Sequence, residues 1–304
     1  MQGPRIISFF IISVLLISPV RASDLGARSF RAEAPDIKST PSLVVNIPAM
    51  EVSLYDSGRL VYRLPIAVGS PIYKTPVGPR FLSTIVWNPW WFPPPSPWAK
   101  GAEPTPPGPQ NPLGVVKMDM GEAIFLHGTN KEWSIGHPAS HGCMRMKNAD
   151  ARNLAWWLQT HLTDKTDPVL LEEYGKKRWQ SYTIKLDLPV PVEIQYEVFK
   201  MNGDVIEAHP DFYGRVGERE EMVTALLESK GVKMEHVYQA AFEKLLNDSQ
   251  KRSVEMSLRE LFPGTMTEYS PSIPDPVDEV WRVKQNLPKP ALYSNLPLNF
   301  TFLF

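Results

Sequence analysis

Period-two alternation is the feature that most narrows what this chain can fold into. "LVVNI" (43–47), "EVSLY" (51–55) and "LVYRLPIAV" (60–68) set apolar residues at alternate places, and Asp56-Ser57-Gly58 separates the last two. Alternation sends successive side chains to opposite faces, so these segments are strands with one buried face, and the Asp-Ser-Gly stretch is a hairpin turn. "TPVGPRFLSTIVW" (75–87) adds a turn and a strand, and "GVVKM" (114–118) with "AIFLH" (123–127) makes a hairpin around Met120-Gly121. "TIKL" (183–186) and "VEIQYEVF" (192–199) return to strands. Short, regularly spaced strands with turn signals predict a mainly β fold, a sandwich or a barrel.

One helix is expected to interrupt them. Asn148 is a candidate N-cap, and Leu154, Trp157, Leu158 and His161 follow at three- and four-residue spacing as an apolar stripe. Residues 87–114 hold ten prolines and four tryptophans. An insert of that length is functional when ordered, and its tryptophans give it the means to pack on the body; a polyproline ligand for a partner domain is the weaker reading. Beyond Gly214, "EREEMVTALLESKG", "EHVYQAAFEKLLNDSQ" and "SVEMSLRELFPG" have helical texture. Residues 215–304 are therefore expected to form a helical C-terminal extension ending in a Pro- and Asn-rich tail.

The amino terminus reads as an export signal. Arg5 supplies a positive start, residues 6–19 an apolar run, and Val20-Arg21-Ala22 a small-x-small cleavage site, so residues 1–22 are expected to be removed and residues 23–42 to be a linker. A run of fourteen residues is too short to span a bilayer comfortably; an uncleaved interfacial anchor is the alternative. Export from the cytoplasm is expected. Formal charge is −1, from 32 basic and 33 acidic residues, which gives no overall attraction to nucleic acid or anionic lipid.

Export sharpens the question posed by "SHGCMRM" (140–146), which holds the single cysteine of the chain. Exported proteins use cysteines in pairs, so an unpaired thiol is either deeply buried or retained for its reactivity. A thiol attacks a carbonyl only as thiolate and needs a base. His127, His137 and His141 are the nearby candidates. His127 closes a strand and is followed by Gly128, which permits a tight turn, so His127 is the expected base, its tautomer fixed by a backbone carbonyl after the strand. Gly142 lets the chain turn so that the amides of His141, Gly142 and Cys143 converge on a developing oxyanion, with Ser140 and His141 holding the turn. Arg145 is a candidate for a substrate carboxylate, with an ordinary surface arginine as the alternative, and Gly128 is grouped with it as substrate-binding. His127, His137, His141 and Cys143 could instead ligate zinc, but their spacing fits no usual zinc pattern.

The stretch "LHGTNKEWSIGHPASHGCMRM" (126–146) resembles the HG…SHGC(hydrophobic)R signature of the YkuD-type L,D-transpeptidases of bacterial cell walls. "KTPVGPRF", "PGPQNPLG", "PVPVEIQYEVF" and "DFYG" are similar to the diderm version of that domain, and the resemblance covers residues 43–214. It implies Cys143 as nucleophile, His127 as general base and acid, the amides around Gly142 as oxyanion donors, Arg145 as the diderm-type arginine and the Pro/Trp loop as a lid. The implied reaction attacks the diaminopimelate carbonyl of a tetrapeptide stem, releases D-alanine and passes the acyl group to an amine on a second stem or an envelope protein. Hydrolysis of the same bond, or wall binding without catalysis, are the alternatives. No metal or organic cofactor is implied, and carbapenem-type inhibitors are expected to acylate Cys143. The stretch before the domain carries no LysM-like module, and the C-terminal extension lies outside the resemblance.

Overall fold

A computed structural model describes residues 39–263. The expected signal, most of the linker and the tail beyond residue 263 lie outside the described residues.

Strands β1 (Pro41–Asn46), β2 (Glu51–Asp56) and β3 (Arg59–Gly69) form the expected antiparallel meander, with Leu43 opposite Leu54 and Leu54 opposite Tyr62. Ser57 and Gly58 both adopt positive φ, 51° and 79°, as a two-residue hairpin requires. The chain continues through β4 (Gly78–Trp87), β5 (Val116–Asp119), β6 (Phe125–His127), β7 (Pro138–Ser140), β8 (Met144–Met146) and β9 (Tyr182–Gln195). Pairing runs β2-β1-β9-β4-β5-β6-β8-β3, and β3 pairs back to β2, so the ring closes as a barrel with β7 laid parallel to the end of β3. Closure leaves few exposed edges. Alternation is kept around the ring: Val116, Met118, Leu126, Met144 and Met146 are buried, while the residues between them reach the other face.

Helix α1 (Asn148–Leu162) packs on β5, β6 and β9 and joins the same core. Its buried face is Ala151, Leu154, Ala155, Leu158 and Leu162, rotated from the expected stripe. Trp157 and His161 instead stack on each other outside that face, ring centroids 3.8 Å apart. Asn148 is the first helical residue, with Lys147 at the cap position; its side chain is engaged elsewhere, as described below. After α2 (Pro168–Lys176), β9 is one strand where two were expected. Pro189 falls where the ladder skips from Val190 to Lys185, so its missing N–H costs nothing there.

The C-terminal region differs from a helical extension. β10 (Phe199–Asn202), β11 (Val205–Ala208) and β12 (Val254–Ser257) form a separate antiparallel sheet, covered by α3 (Arg219–Ser229), α4 (Gln239–Asp248) and α5 (Leu258–Leu261). "SVEMSLRELFPG" begins as a strand because Val254 and Met256 alternate by two and Val254–Ser257 pair along β11, while Leu258 starts α5. This second core already includes Val198 and Phe199, so it begins upstream of the expected boundary at residue 214. Among the described residues no helix is long and apolar enough to cross a membrane.

Candidate active site

β6 and β8 are parallel neighbours, with Leu126 opposite Met144 and His127 opposite Arg145. Leu126 and Met144 enter the core, so His127 and Arg145, and Cys143 one place before β8, share the opposite face. Lys117, opposite His127 on β5, lies beside them.

The His127 ring is buried, and its Nδ1 stands 2.5 Å from the carbonyl oxygen of Gly128. A carbonyl only accepts, so Nδ1 carries the proton and Nε2 the lone pair. Burial, with smaller contributions from Arg145 and Lys117 against the raising effect of the Gly128 bond, lowers this histidine to about 4, so it is neutral at pH 7. Gly128 itself has no positive φ; its need is close approach. A Cβ there would lie 2.3 Å from Asn148 Oδ1, and Gly114 meets the same oxygen at 2.1 Å. Asn148 accordingly clamps two loops, accepting from Val115 N at 3.0 Å and donating to Thr129 O at 2.8 Å. That engagement removes it from the cap.

Cys143 is partly exposed, and its Sγ donates to Ala123 O at 3.4 Å. Glu122 and Ala123 are consecutive non-glycine residues with φ of 50° and 57°, a strained turn of the kind that gathers at functional sites. Burial raises the thiol pKa, while a hydrogen bond with the Phe125 backbone and the cations Arg145 and Lys117 pull it down. The resting pair is thus neutral thiol and neutral imidazole. Among the described residues Arg145 makes no ion pair.

Gly142 has φ of 113°, which only glycine adopts freely. Ser140 Oγ donates to Cys143 O at 2.5 Å and accepts from Gly142 N at 3.1 Å. This corrects one expectation: the Gly142 amide is spent inside the turn, leaving those of His141 and Cys143 as oxyanion candidates. The His141 ring is sandwiched between Trp98 of the Pro/Trp loop, stacked at 4.0 Å, and Tyr73 at 4.7 Å. The loop is held by Asn111, which donates to Pro89 O, Thr105 O and Pro106 O. His137 bonds instead to Ile135 O, and among the described residues no three His, Cys, Asp or Glu side chains group as a metal would require.

Sequence reasoning missed Lys117, Thr75 and Tyr213. Lys117 was findable as the outward residue between buried Val116 and Met118. Thr75 and Tyr213 sit in "KTPVGPRF" and "DFYG", with no local signal of the contacts they make.

The model of the YkuD family, the L,D-transpeptidase catalytic domain, matches residues 40–184. Residues 40–184 are therefore similar to a YkuD domain. Over 121 residues the chain is 32% identical to the probable L,D-transpeptidase YbiS of Escherichia coli K12, covering 37% of this chain and 40% of that one. It is 31% identical to the putative L,D-transpeptidase YkuD of Bacillus licheniformis over 114 residues, covering 37% and 57%. An L,D-transpeptidase structure from Mycobacterium smegmatis aligns over 52% of this chain and 59% of its own, with 16% identity and a TM-score of 0.34. The chain thus spans about two fifths of the length of YbiS.

Proposed function

We propose that the YkuD-like domain of this chain is a cysteine L,D-transpeptidase acting on peptidoglycan stem peptides in the periplasm. The observation that carries this reading is the placement of Cys143 and His127 on one face of adjacent parallel strands, with Nδ1 of His127 committed to Gly128 O. His127 Nε2 takes the thiol proton as Sγ attacks the carbonyl of the third stem residue, a diaminopimelate. Arg145 and Lys117 favour the anionic sulfur, and Arg145, without an acidic partner among the described residues, receives a carboxylate of the stem. The tetrahedral oxyanion is met by the amides of His141 and Cys143. Collapse releases D-alanine, which takes the proton from His127, and leaves a thioester on Cys143. An amine of a second stem, or of an envelope protein, attacks that thioester with His127 again accepting the proton, and the acyl group is transferred.

Incubation with a carbapenem is expected to add the inhibitor mass to the intact protein, and Cys143→Ala to abolish the adduct. No adduct on the wild type, or one that survives Cys143→Ala, sinks the reading. Digesting sacculi and weighing the muropeptides identifies the acceptor, since 3–3 dimers, protein-linked stems and trimmed tripeptides differ in mass.

A further inference from the structure

We propose that Thr75 and Tyr213 are positioning residues that aim the Cys143 amide at the oxyanion, an inference that rests on the acyl transfer proposed above. The Gly142–Cys143 peptide is trans, since the described chain has no cis bond. In a planar trans peptide the C=O and N–H point in opposite directions, so fixing Gly142 O fixes the direction of the Cys143 N–H. Thr75 Oγ donates to Gly142 O at 2.9 Å. Its hydroxyl accepts from Gly69 N at 2.8 Å, and its single proton is thereby committed to the motif.

Tyr213 repeats the arrangement one step back. Its hydroxyl donates to Gly69 O at 2.6 Å and accepts from Thr75 N at 3.0 Å. Gly69, Thr75 and Tyr213 therefore form a closed ring of hydrogen bonds, and one further bond leaves it for the cysteine turn. The fit is close: a Cβ at Gly69 would stand 2.1 Å from Tyr73 O and 2.6 Å from Thr75 N. Thr75 is fully buried and Tyr213 nearly so, which shields the ring from water. With Gly142 N held by Ser140, the Cys143 N–H is the donor whose direction this ring sets.

Tyr213 lies beyond the matched segment, and Lys74 Nζ anchors its carbonyl at 3.0 Å. Between β11 and α3 the chain thus leaves the second core and returns a hydroxyl to the site.

Two rates separate aim from general damage. Acylation of Cys143 by a carbapenem develops an oxyanion, whereas its alkylation by iodoacetamide does not. Thr75→Val is expected to slow acylation about 10- to 100-fold, less than the roughly 10²- to 10³-fold for deleting a donor outright, with alkylation at the wild-type rate. Thr75→Ser restores acylation, and Tyr213→Phe shows the same split more weakly. Melting curves establish that each variant is folded, and Tyr213→Phe carries the test where Thr75→Val is not. Equal slowing of both reactions, or wild-type acylation in the folded variants, overturns the positioning role. A wild-type protein that forms no adduct overturns the transpeptidase reading and this inference with it.

Discussion

At the level of single residues, the turn before Cys143 depends on Gly142. Alanine there has room, with Lys74 O and Ile124 Cδ1 no closer than 3.9 Å, but not the backbone conformation. Gly142→Ala should therefore cost roughly 1–3 kcal/mol in urea unfolding and lower carbapenem acylation much further, since the amides on either side turn with it. The His127 proton gives a second prediction. Because burial holds this imidazole at about 4, below its ordinary 6.5, the base form persists as pH falls and is lost only near 4. The acid limb of the acylation rate should lie near pH 4; a limb near 6.5 would show a solvated ring. Cys143, His127 and Gly142 were legible because their chemistry is local to a motif. Thr75 and Tyr213 were not, because a hydroxyl 138 residues from the amide it binds leaves no trace in spacing.

Among the elements, the tie between α1 and the loop after β6 is a matter of excluded volume as much as hydrogen bonding. Asn148 Oδ1 fills the space left by the missing side chains of Gly114 and Gly128. Asn148→Ala strands the carbonyl of buried Thr129, at about 1–3 kcal/mol, and frees the amide of exposed Val115 at less cost. Gly128→Ala collides with that same oxygen, so it should cost less in an Asn148→Ala background than alone; a double-mutant cycle by denaturant melts measures the coupling, and strict additivity would refute the clash. The strands of the barrel were readable because alternation is a one-dimensional pattern. Register was harder. The α1 stripe is rotated from the expected one because Trp157, only partly buried against the core, pairs with exposed His161, and β12 differs from the helix expected there because four residues of alternation adjoin a short helix.

For the molecule as a whole, two cores share a polar seam. Arg63 of β3 bonds Glu207 of β11 at 3.0 Å, and His209, buried beside it, donates to or accepts from Ser253 Oγ at 2.9 Å. Burial lowers His209 to about 4, as it does His127. Both are protonated in the unfolded chain below 6.5 but neutral in the folded one down to about 4. The unfolded state therefore binds more protons in that window, and stability is present above pH 6.5 and lost as pH falls toward 4. The dependence should approach two protons near pH 5, and His209→Gln should remove one of them; a flat profile of urea midpoints would contradict it. A last consequence follows from the parallel pairing of β6 with β8. Base and nucleophile are one strand apart in space, while the crossover from Gly128 to Gly142 runs outside the ladder that spaces them. With β7 held on β3, residues 130–137 of that crossover can change in length and gain new contacts without retuning the distance on which proton transfer depends.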